Sequence, residues 1–323
     1  MTDKKSKYTS IGGQALIEGI MMRGPEKTSI AVRKPDGSID ISFLPQHDIK
    51  EKFKILKLPV IRGVVNFVQS MVQGYKALSL SAEISEFVQD DVKNTDNTEK
   101  DKKDSKKSGK LMAVVMTAAS VLAVALSVFL FVYLPARAFD TIHFLFGDAV
   151  KNLAPLFEGI IKVIILVAYM ALVSLMDDIK RVFMYHGAEH KTIFCYEAGL
   201  PLTVENVRAQ RRFHPRCGTS FLILMVLVSI IISFLITTLF PHLRDITALW
   251  VIIKILLIPL VCGLGYELIK LCGRYDNIFT RIVSAPGMWL QHITTKEPDD
   301  NMIEVAIAAM NEVIPENPED ALW

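Results

Sequence analysis

The chain has 323 residues, of which 51% are hydrophobic, and 36 Lys and Arg against 34 Asp and Glu give a formal net charge of +2. The mean hydropathy of +0.35 is high for a soluble protein. Neither the charge balance nor any basic patch with interleaved aromatic residues favours nucleic acid as a partner.

The chain begins with a predicted cytoplasmic N-terminal segment, residues 1–57. Within it, two runs with β-branched residues flank the sequence PDGS at residues 35–38, which predicts a β-hairpin. Residues 58–88 carry polar side chains at three- or four-residue steps, which predicts an interfacial or peripheral helix, with a re-entrant hairpin as the alternative. Residues 89–110 have mixed charge and low complexity, and we expect a disordered linker there.

Long apolar runs dominate the next part of the chain. Each has about 20 residues or more, which is enough for a helix to cross a hydrocarbon core of about 30 Å. They cover roughly residues 111–134, 157–176, 219–240 and 246–269. We therefore predict an α-helical integral membrane protein, with four transmembrane helices in residues 111–272 and a small cytoplasmic α+β periphery.

The positive charges predict the orientation of these spans. Lys and Arg crowd the linker before the first run and the loop at residues 177–216, whereas the connections after the first and third runs hold few. Because cytoplasmic loops carry the excess of Lys and Arg, both termini and the 177–216 loop are predicted to be cytoplasmic. The C-terminal segment, residues 273–323, should contain an amphipathic helix that begins near Asp299 and Asp300.

A histidine motif lies in this cytoplasmic loop, within the stretch MYHGAEHKTIFCYEAG at residues 184–199. His186 and His190 are four residues apart, so on a helix both imidazoles can reach one metal ion. The order His-x-x-Glu-His, with Glu189 inside it, is that of the inverted zincins, in which the glutamate is the general base. The motif is short, and the alternative is the solvated end of an interfacial helix.

Further candidate ligands fall on the same predicted membrane face. In one hypothesis, Glu267 joins the two histidines to hold Zn²⁺ or another divalent transition metal, and a fourth position stays open for water. Glu189 is then the catalytic base. In a second hypothesis, His214 and Cys217 join the histidines and close a structural site. In a third, no metal binds and the histidines hydrogen-bond or titrate.

Glu189 favours the catalytic hypothesis over the structural one. A purely structural metal site has no use for a carboxylate beside its ligands. A salt bridge to one of the nearby arginines is the simpler explanation for the same residue.

Several blocks together resemble the YqhQ-like family of bacterial integral membrane proteins: IGGQALIEGIMMRGP, YHGAEHKTIFCYEAG, RFHPRCGTSF and APGMWLQHITTKEPDD. That family is described as a domain of unknown function and is sometimes labelled a predicted metal-dependent enzyme. The resemblance covers nearly the whole chain except residues 89–110. It implies multi-pass residence in the bacterial cytoplasmic (inner) membrane, and it supplies no reaction.

These observations favour a metal-dependent membrane enzyme. The predicted activity is that of a hydrolase, in which Glu189 takes a proton from the water that attacks a carbonyl or phosphoryl centre. The alternative is a non-enzymatic scaffold or transport component with a structural metal site. The expected partners are membrane lipids and a protein or lipid substrate, and a homo-oligomer remains open.

Overall fold

The computed structural model describes residues 8–46, 53–85, 117–147, 150, 153–275 and 277–321. The charged linker predicted at residues 89–110 lies outside these ranges. By its internal contacts the chain forms two compact units. The first comprises residues 1–90, 168–225 and 262–323, and the second comprises residues 91–167 and 226–261.

The described residues are mostly helical. In chain order the α-helices are α1 (Ile61–Ile84), α2 (Thr117–Phe146), α3 (Ala154–Val173), α4 (Asp177–Glu197), α5 (Val204–Arg208), α6 (Gly218–Leu239), α7 (Thr247–Leu256), α8 (Ile258–Arg274), α9 (Ile278–Thr294) and α10 (Asp300–Asn311). Short 3₁₀ helices cover Lys54–Lys57, Pro241–Arg244 and Pro318–Ala321. The predicted loop at residues 177–216 is largely helical, since it contains α4 and α5.

The N-terminal residues form an antiparallel sheet with strand order β1-β2-β3-β4. The strands are β1 (Gly12–Leu16), β2 (Gly19–Arg23), β3 (Thr28–Arg33) and β4 (Ile39–Leu44). Strands β3 and β4 pair across the PDGS turn, where Gly37 has a φ of 86°. Strands β1 and β2 come from the glycine-rich stretch before this hairpin. Glycine is depleted in strands, so the sequence of this stretch predicts turns.

Helices of the first unit cover both faces of the sheet, which is why β2 and β3 are buried along nearly their whole length. One face packs against α4 and α10, and the buried residues there include Ile20, Met22, Ala31, Tyr185, Ala188, Met302, Ile303 and Ala306. The other face packs against α1, through Leu16, Met21, Ile30, Val32 and Ala77. The Asp299 side chain accepts the Met302 N–H at 2.9 Å and caps α10.

The turn between β1 and β2 fastens the sheet to α4. Glu18 lies in this turn with a φ of 50°, an uncommon value for a residue with a side chain. Arg181 of α4 donates to both carboxylate oxygens of Glu18, at 2.5 and 2.6 Å, and the Tyr185 hydroxyl donates at 3.2 Å. This fork of hydrogen bonds holds the strained turn and sets the position of β1 along the helix.

The long apolar helices agree with the membrane class of the sequence prediction. Among the described residues, α2, α3 and α6 are long and apolar enough to cross a membrane. Helices α7 and α8 meet at a bend of 46° and make a fourth such element if they form one span. Helix α2 contains a π-helical stretch at Phe129–Tyr133 and extends beyond the apolar run that predicts it.

Gly187 allows the backbone that follows α9 to lie directly on α4. The Lys296 N–H donates to the carbonyl oxygen of Phe183 at 2.8 Å. A Cβ atom at position 187 would overlap the carbonyl oxygen of Lys296. The same backbone segment supplies a contact to the histidine motif, so this close approach matters for the site.

We expect Gly187→Ala to lower the free energy of unfolding by about 1–3 kcal/mol, because the backbone at Lys296 must move away. Alanine gains about 1 kcal/mol of helix propensity, so a net loss identifies the steric effect. Thermal unfolding in detergent measures the change. Gly218→Ala is the control, since a Cβ there meets no atom within 4 Å, and equal melting temperatures for the two variants would contradict the prediction.

Candidate metal centre

Helix α4 carries the His-x-x-Glu-His motif in its buried half. Every residue from Gly187 to Cys195 is buried. Glu189 is 5% exposed and His190 is 1% exposed. The motif is therefore not the solvated end of an interfacial helix, and its polar side chains need partners inside the protein.

Both histidines of the motif have one ring nitrogen held by the backbone. His186 Nδ1 lies 2.8 Å from the carbonyl oxygen of Thr294, and His190 Nδ1 lies 2.6 Å from that of Arg212. A carbonyl oxygen can only accept, so each Nδ1 carries the proton, and a neutral ring then has its lone pair on Nε2. Histidines that bind metals are usually oriented in this way.

Cys217 brings a sulfur atom to His186 from the residue just before α6. Its Sγ lies 3.1 Å from His186 Nε2. The backbone N–H of Thr219 donates to this sulfur at 3.4 Å, and the Thr219 hydroxyl oxygen lies 3.2 Å from it. The sulfur thus lies at a helix N-terminus, an environment that suits a negatively charged ligand.

His186, His190 and Cys217 form a three-ligand group. One ligand atom from each lies within 4.8 Å of the other two. Zinc binds nitrogen and sulfur at about 2.0–2.3 Å, which places neighbouring ligand atoms roughly 3–4 Å apart. Small side-chain movements therefore suffice for the group to hold one ion, and three protein ligands leave a fourth position open.

Glu189 has a buried carboxylate with one oxygen free of protein partners. The backbone N–H of Gly13 donates to the carboxylate, and Oε2 has no hydrogen-bond partner among the described residues. Burial raises the pKa of Glu189 to about 7, against the opposing effects of His186 and of the Gly13 N–H. Near neutral pH the side chain can therefore either accept or donate a proton.

A cavity of about 560 Å³ opens beside this group, and His186, Glu189 and Cys217 form part of its wall. Most of the remaining wall is apolar: Phe67, Met71, Val182, Phe183, Phe221 and Ile269. The polar part includes Gln14, Asn66, Ser70, Thr219 and Tyr266. Glu189 therefore belongs to the wall of a ligand-sized space.

His214, the predicted fourth ligand of a closed site, lies next to the group without joining it. Its ring centroid is 5.4 Å from that of His190. Its Nδ1 and Nε2 lie 3.3 Å from Arg216 N and Nη2, respectively, so both ring nitrogens face Arg216, although a neutral ring can accept from only one of these donors. Burial, reinforced by the charges of His190 and Arg216, lowers the pKa of His214 well below its usual value.

Gln291 of α9 holds the chain on either side of this ring. Its Oε1 accepts the His214 N–H at 2.8 Å, and its Nε2 donates to the His214 carbonyl oxygen at 2.8 Å. The side chain is fully buried and also donates to Ser220 Oγ at 3.3 Å. Gln291 thus fixes the segment whose Arg212 carbonyl orients His190.

Glu267, the predicted third ligand of an open site, pairs elsewhere. Its carboxylate accepts hydrogen bonds from Arg62 Nε and Nη2 at 2.6 and 2.5 Å, and from the Val60 N–H at 3.4 Å. This forked pair joins the start of α1 to α8. Among the described residues, neither the three-ligand group nor the cavity wall includes Glu267.

Other residues that shape the site carry little signal in the sequence. Thr294 acts through its backbone carbonyl, so no residue type could reveal it. Gly13 appears in the sequence only as one of several glycines. In the structure it is a strand residue whose missing side chain makes room for Glu189, because a Cβ there would lie 2.9 Å from the Glu189 Cδ.

The fold and the site together define a mostly helical protein with apolar helices of membrane-spanning length and a buried His/His/Cys group able to hold a metal ion. The family model described as "Protein of unknown function (DUF1385)" matches residues 58–316, and the chain belongs to this family. The resemblance to YqhQ-like proteins is thereby confirmed.

A relative supports the same assignment along nearly the whole chain. "Uncharacterized protein YqhQ" of Bacillus subtilis (strain 168) is 35% identical over 304 residues, which cover 94% of this chain and 92% of the relative. No solved structure matches this chain. Neither name states a reaction.

We expect Cys217→Ser to lower the affinity for Zn²⁺ or Co²⁺ by at least about 100-fold, because serine replaces a soft sulfur ligand. Metal analysis after equilibrium dialysis at fixed free metal measures the loss. Cys195→Ser, which changes another buried thiol of the same unit, is the matched control. Glu267→Gln should retain the metal, and metal loss in that variant would place Glu267 among the ligands.

Proposed function

We propose that this chain is a metal-dependent hydrolase of the bacterial cytoplasmic membrane. Helices α2, α3, α6 and the bent pair α7–α8 cross the bilayer, and the sheet with the metal centre lies on the cytoplasmic side. The excess of Lys and Arg in the linker before α2 and in the segment between α3 and α6 supports this orientation.

The main support is that Glu189, whose Oε2 is buried without a hydrogen-bond partner among the described residues, belongs to the wall of a cavity shared with His186 and Cys217 of the three-ligand group. An unpartnered buried carboxylate oxygen is costly for stability, so its retention needs another reason. A structural metal site needs no such group. A hydrolytic site needs a base beside an open metal position.

Each side chain then has a distinct part in the reaction. His186, His190 and Cys217 would hold Zn²⁺ or a similar divalent ion, which supplies Lewis acidity at an open position. Glu189 accepts a proton from the attacking water and returns it to the leaving group. The carbonyl oxygens of Thr294 and Arg212 keep the histidine rings aligned through the cycle.

The cavity wall favours a substrate with an apolar portion. Met71 of α1 lines the cavity and is also 61% exposed. Val68, Val72 and Tyr75 continue its exposed apolar face along the helix. An amphipathic helix of this kind suits the membrane interface, so a lipid or a membrane-bound peptide could enter beside it.

A second candidate function is a scaffold with a structural metal. The observation that favours it is that the ligands join α4 to the residue before α6, as a structural clamp would. The two functions differ in coordination, because a structural ion has a closed shell and a hydrolytic one has an exchangeable position.

We expect Glu189→Gln to lower hydrolysis of p-nitrophenyl esters by the metal-loaded protein about 10²–10⁴-fold, because the amide cannot accept the proton. Metal content should not change, since Glu189 is not one of the three ligands. Esters of increasing acyl length should be cleaved faster up to the length that the cavity holds. Glu83→Gln, a change of the same kind at the far end of α1, is the control for activity and folding.

Cobalt spectroscopy separates the hydrolase from the scaffold. In the Co²⁺-loaded wild-type protein, azide should change the visible absorption spectrum by entering the open position. The near-ultraviolet sulfur-to-cobalt band should be absent in Cys217→Ser. A spectrum that azide leaves unchanged, together with equal ester turnover in wild type and Glu189→Gln, would assign the site to the scaffold.

The proposed orientation can be measured separately with reporter fusions. We expect green fluorescent protein fused after residue 323 to fluoresce, because the C-terminus is cytoplasmic. Alkaline phosphatase fused after Gly147, just beyond α2, should be active, because it folds only after export. Inactive phosphatase at that position would reverse the orientation.

A further inference from the structure

The second unit contains a buried charge cluster that the proposed hydrolase does not use. Glu158, near the start of α3, is 1% exposed. Its carboxylate forms ion pairs with Lys254 of α7 and with Arg244, whose Nη2 lies 3.2 Å from Glu158 Oε1. The Trp250 indole N–H also donates to this oxygen at 3.4 Å. Charged groups on helices of this apolar character are usually functional.

The cluster has more positive than negative charge. Lys162 lies one helical turn after Glu158 and interacts electrostatically with Glu158 and Lys254. Three cations, Lys162, Lys254 and Arg244, therefore face the carboxylate of Glu158 and, more weakly, that of Asp140, an excess of one positive charge. A buried charge without a counterion is strongly unfavourable, so this arrangement calls for an anion.

Arg244 has a donor without a partner among the described residues. Its side chain is 10% exposed, and its Nη1 is buried with no hydrogen-bond partner among the described residues. The guanidinium lies over the Phe139 ring, 4.2 Å from the centroid, which fixes its plane. A fixed guanidinium with an unused N–H is suited to bind an oxyanion.

A cavity of about 390 Å³ lies against this guanidinium. Besides Arg244 and Phe139, its wall contains Arg137, Asp140, His143, Asp245 and Thr247. Asp140 is engaged at the rim, where it accepts hydrogen bonds from Arg137 at 3.0 Å and from Thr247 at 3.4 Å. It also attracts Arg244, though less strongly than Glu158 does, so it balances the deeper cations only in part.

We propose that this cavity binds a phosphate group, either free phosphate or the phosphate of a lipid headgroup. Arg244 Nη1 donates the directed hydrogen bond, and Lys162 and Lys254 supply the positive potential behind it. Arg137 adds a second guanidinium to the cavity wall, and two such groups suit the several oxygens of a phosphate better than the two of a carboxylate.

The first arm of the test uses inorganic phosphate with the full-length protein in detergent. Phosphate should raise the melting temperature of the wild-type protein relative to chloride at equal ionic strength, because a ligand that binds the folded state stabilises it. The dissociation constant from the titration should rise at least about tenfold in Arg244→Gln. Arg274→Gln, which changes an exposed arginine of the first unit, is the matched control and should behave as wild type.

Lys162→Met keeps the test decisive if Arg244→Gln folds poorly. Lys162 makes no ion pair or hydrogen bond to the described residues that its loss would break, so this variant should fold and still bind phosphate more weakly. The second arm takes protein from vesicles of phosphatidylglycerol and phosphatidylcholine and counts retained lipids by native mass spectrometry. Phosphatidylglycerol retained by wild type and lost in both variants identifies a headgroup as the ligand.

The outcomes are exclusive. Protection by inorganic phosphate, without retained lipid, identifies a free anion. If neither probe distinguishes wild type from Arg244→Gln and Lys162→Met, the cluster is only a structural ion-pair network and the proposal is overturned. Because these residues lie outside the metal centre, the result is independent of the ester hydrolysis test.

Discussion

The last turn of α9 orients both histidines of the metal centre. Thr294 holds His186 through its carbonyl oxygen, and Gln291, one turn earlier, clamps the backbone whose Arg212 carbonyl holds His190. Both rings thereby direct Nε2 towards Cys217 or the space next to it. Without these backbone contacts, two histidines one turn apart could rotate freely, and their spacing alone would not define a site.

The sheet adds the carboxylate to this arrangement. Gly13 of β1 approaches α4 closely enough for its N–H to reach Glu189, and no other residue would leave room for the side chain there. The Glu18–Arg181 pair sets the position of β1 along the helix, so a surface ion pair at the strand end controls the location of Gly13. The histidines and the carboxylate thus depend on separate contacts with α4, made by the end of α9, by Gly13 of β1 and by Glu18 in the turn after β1.

Much of this arrangement follows from local sequence, and the rest does not. Apolar runs predicted the long helices, the PDGS turn marked a hairpin, and the i, i+4 spacing placed His186 and His190 on one helix face. Cys217 was a candidate ligand, but the choice between it and Glu267 depended on tertiary contacts. Arg62 forms hydrogen bonds with Glu267, and the ring of His214 lies against Arg216. Neither contact can be recognised from the residues that surround it in the sequence. Pro286 lies inside α9, and because proline usually breaks a helix, the sequence does not predict this one.

The spread of the site along the chain has a consequence for biosynthesis. The ligand residues end at Cys217, but the carbonyl that orients His186 belongs to Thr294. Helices α6, α7 and α8 are made between these two positions. The ribosome must therefore complete the membrane-length helices before the histidine pair is ordered. Any metal ion held by this group would therefore be captured late in folding, after α6, α7 and α8 have been made.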